Sequence, residues 1–338
     1  MTETAGAVRP SAQGARSERG RELLLEAYYA VVQPLYRRLG VDITSEVGAR
    51  AGVGFARVVR GYPWGLAHRR AEANWRRLRP QDTPERVGQE LQRMWRHFGR
   101  LAAEFFILDR FVPEGRVELL GAEHVRAAMA EERPILFVAP HLGNWEAIWP
   151  ALAALGPRIN CISQPPSNRA DHRLARRMRR LAVATANGQD YPFGIPAWPD
   201  GARKLVRTLT SGDRVAGLTI DEFMHGEVHA PLFGRPPQTR GNLARAIRLA
   251  RLADAVILPV YALRTTGARF KVVVLAALPQ GKGPVVAADV SALNDVIEPI
   301  VLENLGQWFW LPHLRWSPGE AAPSFPLTGR LAEGPADI

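Results

Sequence analysis

The sequence predicts an α/β fold, an αβα sandwich with a mostly parallel central sheet that is preceded by N-terminal helices. Two observations predict it. From about residue 119 onward, short runs rich in β-branched and apolar residues alternate with stretches of helical periodicity. Before that point, apolar residues recur every three or four positions, which is the period of an α-helix. Continuous apolar strands separated by crossover helices are typical of parallel sheets buried on both faces.

The N-terminal part is predicted to be helical. Residues 21–39 place apolar side chains on one side, with Arg21, Arg37 and Arg38 beside them. Residues 85–109 repeat the period with Val87, Leu91, Met94, Phe98, Leu101, Phe105 and Leu108. Both patterns are typical of helices that face a core. The first is equally the pattern of a helix that lies on a membrane surface, so both interpretations remain open for it.

The α/β part contains five predicted strands and five predicted helices. The strands are residues 134–140, 158–163, 214–220, 255–261 and 269–278. The helices are residues 121–131, 144–155, 171–183, 201–211 and 241–252. In open parallel sheets, ligands bind beyond the carboxyl ends of the strands, so residues just after each strand are the candidates for chemistry.

The pattern divides the chain into a disordered arm, one domain and a flexible tail. The arm is residues 1–20 and the tail is residues 317–338, both rich in small and chain-breaking residues. The domain, residues 21–316, consists of a helical part over 21–118 and an α/β core over 119–316. Neither a repeat nor a low-complexity linker divides it.

Composition excludes several classes of protein and favours an anionic partner. A single cysteine, Cys161, excludes a disulfide scaffold. The apolar runs fall short of the roughly 18–20 residues that a membrane-spanning helix needs. The first residues lack the apolar segment of a signal peptide, so a cytoplasmic location is expected. Lys and Arg total 44 against 33 Asp and Glu, a net charge of +11. Such a surplus favours nucleic acid, anionic lipid, an acidic carrier protein or a phosphorylated small molecule as partner.

Residues 139–146, APHLGNWE, carry the strongest chemical signal. His141 leaves a buried strand, and Glu146 follows five residues later in a turn for which Asn144 is a candidate N-cap. A carboxylate that accepts from one ring nitrogen would leave the other to take a proton from a hydroxyl. We therefore predict that His141 is a general base oriented by Glu146, and that N–H groups around Gly143 stabilise an oxyanion. The alternative is a capped turn that contains a structural histidine.

Several segments resemble one enzyme family. The H-x4-E motif at a strand end is similar to that of the glycerolipid acyltransferase superfamily. The longer string HLGNWE resembles its branch of late lipid A biosynthesis (lauroyl/myristoyl) acyltransferases. Further similar segments follow in the family's order: ANWRRLRP at 73–80, the core segment 121–146, the segment 230–264, and QWFWLPHLRW at 307–316.

The resemblance implies a glycerolipid-acyltransferase-like fold and an acyl transfer reaction. The implied donor is an acyl-carrier-protein or acyl-CoA thioester. The implied acceptor is a hydroxyl or amine of a lipid or glycolipid, such as a lipid A precursor. No cofactor and no metal are expected. By motif position, His141 is the base and Glu146 its partner, and an apolar tunnel holds the acyl chain. The protein would act peripherally at the cytoplasmic face of the inner membrane, without nucleic acid.

The sequence departs from the family after its second predicted strand. Family members often have arginine or lysine there, whereas this chain has Gln164, which offers a hydrogen bond without a charge. The first basic residue after it is Arg169. This departure argues against a bisphosphorylated acceptor that is bound in the usual way, and we keep Gln164 and Arg169 as candidate substrate contacts.

Six arginines lie on the next predicted helix: Arg169, Arg173, Arg176, Arg177, Arg179 and Arg180. They form either a solvated surface or a dock for an acidic carrier protein or lipid phosphates. Nucleic acid is a weaker alternative, because no aromatic residues that could stack on bases are interleaved.

The segment 219–242 supplies further candidates. Asp221 follows a strand and lies near the end of the His141 strand if the two are neighbours, where it could position a hydroxyl or pair with an arginine. Arg235 and Arg240 are candidate anion contacts. Thr239 is expected to cap the next helix, whose N–H groups would bind an anion. Two histidines and a glutamate alternate here without a third ligand at fixed spacing, which disfavours zinc.

The C-terminal cluster of Trp308, Trp310, His313, Arg315 and Trp316 either docks aromatic side chains on the domain or forms a belt at lipid headgroups. Two rival functions remain. A hydrolase would use the same histidine and carboxylate to activate water and release a free fatty acid. A non-catalytic protein that binds membranes or nucleic acid would keep the fold without the chemistry.

Overall fold

The computed structural model describes residues 12–59, 65–164, 166, 168–197, 200–221 and 227–316. The predicted tail and residues 1–11 of the predicted arm lie outside this part of the chain. The first helix begins at Ala12, inside the predicted arm. No helix in the described part has an apolar stretch long enough to cross a membrane.

Four helices precede the sheet: α1 (Ala12–Leu39), α2 (Val41–Val59), α3 (Gly65–Leu78) and α4 (Pro84–Glu104). Helix α4 begins where the side chain of Thr83 accepts a hydrogen bond from the N–H of Arg86, which satisfies an end group of the helix. Helices α2 and α4 cross closely because glycines face each other. A Cβ atom on Gly99 would lie 2.1 Å from the carbonyl oxygen of Gly48.

The sheet has seven strands: β1 (Val117–Leu120), β2 (Ile135–Ala139), β3 (Asn160–Ser163), β4 (Ile195–Pro196), β5 (Val215–Thr219), β6 (Val256–Arg264) and β7 (Phe270–Val274). Their order is β1-β7-β6-β2-β5-β3-β4. Every neighbouring pair is parallel except β6 and β7, which are antiparallel. The predicted mixed fold with a mostly parallel sheet and N-terminal helices is confirmed.

Helices cover both faces of the sheet: α5 (Ala122–Ala130), α6 (Ile148–Ala153), α7 (Arg169–Asn187), α8 (Gly201–Ser211), α9 (Asn242–Ala253) and α10 (Ala287–Glu303). Strand β2 shows how the two layers are divided. Leu136 and Val138 join the core formed with α8, α9 and α10, whereas Ile135, Phe137 and Ala139 join the core formed with α5 and α6. Burial of each such leucine, isoleucine, valine or phenylalanine side chain stabilises the fold by about 1.5–3 kcal/mol.

The register between β2 and β5 places the site. Ala139 pairs with Thr219 in this parallel ladder. The residues two positions beyond each partner are His141 and Asp221, so both leave the sheet side by side at its carboxyl edge.

Candidate active site

His141 and Asp221 form the centre of the site. The imidazole Nδ1 of His141 lies 2.6 Å from Oδ1 of Asp221. Oδ2 of the same carboxylate accepts the backbone N–H of His141 at 2.7 Å. Asp221 is fully buried, whereas 12 % of the His141 side chain is exposed. This carboxylate therefore fixes both the backbone and the ring of the histidine.

Two tryptophans from the C-terminal segment complete the pair. The indole N–H of Trp308 donates to Oδ2 of Asp221 at 3.0 Å. The indole nitrogen of Trp310 lies 3.0 Å from Nδ1 of His141. One ring nitrogen cannot both donate to a carboxylate and accept from an indole. The shorter contact to a charged acceptor is the stronger, so Nδ1 carries the hydrogen toward Asp221, and Nε2 is the basic nitrogen.

Glu146 has a different partner from the one predicted. Both of its carboxylate oxygens accept hydrogen bonds from the guanidinium of Arg179 on α7, at 2.8 and 2.5 Å. Glu146 is buried, and the planar guanidinium also lies over the ring of Phe105. The residue that holds Nδ1 of His141 is Asp221, whereas Glu146 holds α7. The reason is local: the chain enters a 3-10 turn at Trp145–Ala147, which directs this carboxylate toward the helix.

A buried polar network supports the turn after His141. Glu104 is fully buried and accepts from both terminal nitrogens of Arg264, at 2.6 and 2.7 Å, and from the amide of Asn144 at 2.9 Å. Arg264 Nε donates to Nδ1 of His97 at 3.2 Å, so Nε2–H of that ring donates to the carbonyl of Gly143, also at 3.2 Å. Burial, with the Arg264 charge as second cause, holds the pKa of His97 well below its ordinary value.

The same turn changes two sequence predictions. Asn144 stands at the N-cap position but makes no side-chain cap hydrogen bond. Its Nδ2 group donates to Glu104 instead. The N–H of Gly143 donates to the carbonyl of Gln307 at 3.1 Å, so it is already engaged and does not supply the predicted oxyanion contact. Gly143 has φ +57°, and a Cβ there would lie 2.2 Å from the carbonyl of Ala262, so only glycine fits this turn.

A cavity of about 750 Å³ lies beside the turn after His141. Asn144, Trp145 and Glu146 line it on the side of the turn, together with Phe309. Trp145 also packs edge to face on the His141 ring, with ring centroids 5.0 Å apart. The other walls come mostly from α1, α2 and α4, and include Tyr28, Tyr36, Gly48, Ala51, Gly52, Phe55, Trp95, Phe98, Gly99, Ala103 and Phe106. The cavity is therefore largely apolar and adjoins His141.

The remaining predicted contacts lie in different surroundings. Gln164 is exposed after β3, and Arg169 is exposed at the start of α7. The guanidinium of Arg235 donates to three carbonyls of its own loop and so holds that loop. Thr239 does not cap α9, because the N-cap position is Gly241 and has no side chain. Arg240 is exposed before that helix.

The arginine run on α7 is divided between interior and surface. Arg179 points inward to Glu146, as described above. Arg173 pairs with Glu26 and Arg180 with Asp190. Arg176 and Arg177 are exposed on the outer side. One member of the run thus belongs to the wall of the site, and the others form a basic surface.

Within the described residues, no group of three or more metal-ligating side chains is present. Residues 222–226, which include the first of the two alternating histidines, lie outside that part of the chain. The second, His229, pairs with Glu227.

Sequence reasoning missed the network that orders the site. Trp308 and Trp310 were expected only to dock on the domain or face lipid. His97 and Glu104 lie within the predicted helix 85–109, and no role was predicted for them. A histidine and a glutamate on the inward face of α4 are nevertheless a signal of buried polar contacts. Arg264 lies at the carboxyl end of β6, which is where the strand-end rule directs attention.

One comparison with known proteins identifies a family. A family model of the bacterial lipid A biosynthesis acyltransferases matches residues 25–317, which span the helices, the sheet and the C-terminal tryptophans. A search of curated proteins found no match. Because the match covers most of the chain, the protein is an acyltransferase and belongs to the bacterial lipid A biosynthesis acyltransferase family.

Proposed function

We propose that the protein transfers a fatty acyl group from a thioester to a hydroxyl of a lipid acceptor, with His141 as general base and Asp221 as its orienting carboxylate. The observation that carries this proposal is the 2.6 Å contact between Nδ1 of His141 and Oδ1 of Asp221 at the edge of the sheet. The carboxylate fixes the ring orientation and stabilises the imidazolium once it forms.

In the reaction, the acceptor oxygen attacks the thioester carbonyl while Nε2 of His141 takes its proton. The tetrahedral intermediate then collapses, the carbon–sulfur bond breaks, and the imidazolium returns the proton to the leaving sulfur. The products are an ester and a free thiol. General-base catalysis of this kind typically contributes about 10²–10⁴-fold in rate.

The cavity beside the turn is the proposed site of the acyl chain. Its apolar walls suit a hydrocarbon, and Trp145 links it directly to the histidine. A chain seated there would hold its thioester carbonyl at the catalytic turn. We refer to this space, with the lining residues given above, as the acyl cavity.

The donor in this proposal is an acyl-carrier-protein or acyl-CoA thioester, and the acceptor is a lipid A precursor or another glycolipid hydroxyl or amine. Gln164 and Arg169 are exposed and follow the carboxyl end of β3, and we keep them as acceptor contacts. The exposed arginines of α7 suit an acidic carrier protein or lipid phosphates. The reaction is placed at the cytoplasmic face of the inner membrane, with the protein bound peripherally.

The test measures consumption of acyl thioesters by purified protein, with and without a total membrane lipid extract, and identifies products by mass spectrometry. An acylated lipid that depends on both the extract and His141 is the expected result. His141→Ala should abolish its formation and leave the protein folded, as measured by thermal unfolding. His124→Ala, which removes a histidine on α5 away from the site, is the matched control and should keep wild-type turnover.

Free fatty acid formed without an acceptor would instead favour the hydrolase. Absence of turnover with both carrier-protein and CoA donors would favour a binding protein on the same fold. Wild-type turnover by His141→Ala would overturn the mechanism.

A further inference from the structure

Helix α1 packs on the protein through a side that combines polar and aromatic residues. Its contacts with α7 are made by Glu22 to the N–H of Arg169, Glu26 to Arg173, Tyr29 to Asp171, and Gln33 to Met178. These four positions are spaced by four, three and four residues, so they lie on one face of the helix. Tyr29 and Tyr36 on this side pack on the ring of Phe106, so the packed side of α1 is polar toward α7 and aromatic toward Phe106.

The apolar side of α1 faces outward. The same spacing recurs two positions further along the helix, at Leu24, Tyr28, Val31 and Leu35. Two positions correspond to a rotation of about 200°, so these side chains lie on the opposite side of the helix. Their exposed fractions are 75 %, 51 %, 69 % and 48 %. The helix thus presents a continuous apolar stripe away from the domain.

Helix α2, which follows α1 along the chain, also exposes apolar side chains. Its buried side contains Ser45, Ala49 and Ala56. Ile43 and Val47, two positions before the first two of these, are 55 % and 40 % exposed, and Val58 near the end of the helix is 79 % exposed. We call the exposed side chains Leu24, Tyr28, Val31, Leu35, Ile43, Val47 and Val58 the outer apolar face. Large exposed apolar side chains in such number mark a site of interaction with a partner or a membrane.

We propose that the outer apolar face inserts into the surface of an anionic lipid bilayer. Two exposed arginines, Arg21 and Arg38, flank the stripe on α1, each about 50° around the helix from its centre. Arg50 and Arg57 are exposed beside the stripe on α2. An apolar stripe bordered by arginines is the arrangement of a helix that lies in the plane of a membrane and binds anionic headgroups.

The acyl cavity adjoins this face, so the inference deepens the proposed function and rests on it for the meaning of the cavity. Tyr28 belongs to both, and Ala51 and Phe55 of α2 line the cavity from partly exposed positions. An acyl chain or a lipid acceptor could then pass between the bilayer and His141 without exposing its hydrocarbon to water. The membrane that binds this face would then be the same membrane that contains the lipid acceptor.

A second copy of the chain fits the face less well. A two-fold contact between copies of the stripe would bring the flanking arginines of one copy toward those of the other. Like charges placed together oppose such a contact, whereas anionic headgroups neutralise them. Charge complementarity therefore selects the bilayer.

The test uses the full-length protein with an environment-sensitive fluorophore attached at a new cysteine. Cys161 is the only native cysteine and is 5 % exposed, and burial raises the pKa of its thiol, so it does not compete for the label. Val31→Cys places the label on the face, and Ser211→Cys places it at the exposed end of α8 as the matched control. Vesicles of phosphatidylcholine are compared with vesicles that also contain phosphatidylglycerol.

The expected result is a blue-shifted emission at position 31 with anionic vesicles, weakened by salt, and no shift at position 211. Absence of a shift at position 31, or an equal shift at both positions, would overturn the proposal. A shift without vesicles that grows with protein concentration, together with a dimer mass in light scattering, would assign the face to a second copy and would also overturn it.

A double variant separates this inference from the catalytic one. Leu24→Asp with Val31→Asp should lower partition into anionic vesicles by about tenfold or more, because two large apolar groups lose their burial. Turnover should fall when the acceptor is presented in vesicles and persist when it is dispersed in detergent micelles. Wild-type turnover by the variant on vesicles would contradict the proposal. A wild-type protein that is inactive in both assays would contradict the proposed function alone, because the fluorescence experiment still measures binding.

Discussion

Asp221 and Glu146 are buried carboxylates near the turn after His141, and they serve different regions of the molecule. Asp221 belongs to the carboxyl edge of the sheet and holds the imidazole of His141. Glu146 belongs to the boundary with α7 and holds the guanidinium of Arg179. Both were predicted as site residues, but the sequence motif assigned the imidazole to Glu146.

The difference between them teaches that spacing across a sheet can decide more than spacing along the chain. His141 and Asp221 are neighbours because β2 and β5 are parallel and in register, so residues two beyond the paired Ala139 and Thr219 meet. Glu146 is only five residues from the histidine, yet the intervening 3-10 turn directs it to another partner.

The largest expected effect is that of Asp221→Asn. An amide keeps the shape of the carboxylate but cannot stabilise the imidazolium, so kcat should fall by about 10²–10⁴-fold with little change in KM. Steady-state kinetics on an acyl thioester and the lipid acceptor would measure it. Thermal unfolding should show a folded protein, because an amide oxygen in the place of Oδ2 can still accept the backbone N–H of His141 and the indole N–H of Trp308.

Glu146→Gln should affect stability more than chemistry. It leaves the guanidinium of Arg179 without its charge partner in a largely buried position, where the side chain is 24 % exposed. Removing one member of a buried ion pair typically costs about 3–5 kcal/mol, which denaturant unfolding would measure. The loss in kcat should be smaller than for Asp221→Asn.

Two further variants sharpen this result. Replacing both members, as Glu146→Gln with Arg179→Met, should recover much of the lost free energy of unfolding because no unpaired charge remains. Arg180→Met, which breaks an exposed pair on the same helix, should stay near wild type. Loss of activity by Glu146→Gln without loss of stability would reassign the imidazole to Glu146.

The sequence predicts the strand ends well and their partners poorly. The apolar run of β2 and the strand before Asp221 are read from composition, which places His141 and Asp221 at an edge of the sheet. The order of the strands in the sheet decides which strand ends are neighbours. This order depends on packing across the whole domain and cannot be derived from the sequence of either segment. Trp308 reaches Asp221 from 87 residues away, and Arg264 reaches Glu104 across 160. Contacts at such separations are products of the tertiary fold.

A smaller effect is expected from filling the acyl cavity on the side of α7. Ala175 is 7 % exposed and lines the cavity, so Ala175→Leu should shorten the chain that fits. The ratio of kcat/KM for long and short acyl thioesters should shift toward short chains by about tenfold. Ala184 is on the same helix but lines a different surface. Ala184→Leu should therefore leave the ratio unchanged. An unchanged ratio in Ala175→Leu would place the chain elsewhere.

The smallest effect concerns His97, which supports the turn that separates the two carboxylates. Its pKa is held well below 6.5 by burial and by Arg264, so the ring stays neutral in the folded chain. The unfolded chain titrates near 6.5 and binds a proton that the folded chain does not. The free energy of unfolding should therefore fall as pH drops below about 6.5, by up to about 1.4 kcal/mol per pH unit from this group.

His97→Gln should flatten this dependence, because an amide can donate to the carbonyl of Gly143 and accept from Arg264 without titrating. Denaturant unfolding at a series of pH values below about 6.5 would measure the slope for each protein. His124→Gln, whose side chain is 37 % exposed, should keep the wild-type slope. An unchanged slope in His97→Gln would mean that the ring is charged in the folded protein, and the Nε–H of Arg264 would then lack its acceptor on that ring. A flattened slope with kcat retained would show that a neutral amide supports the turn after His141 as well as the imidazole does.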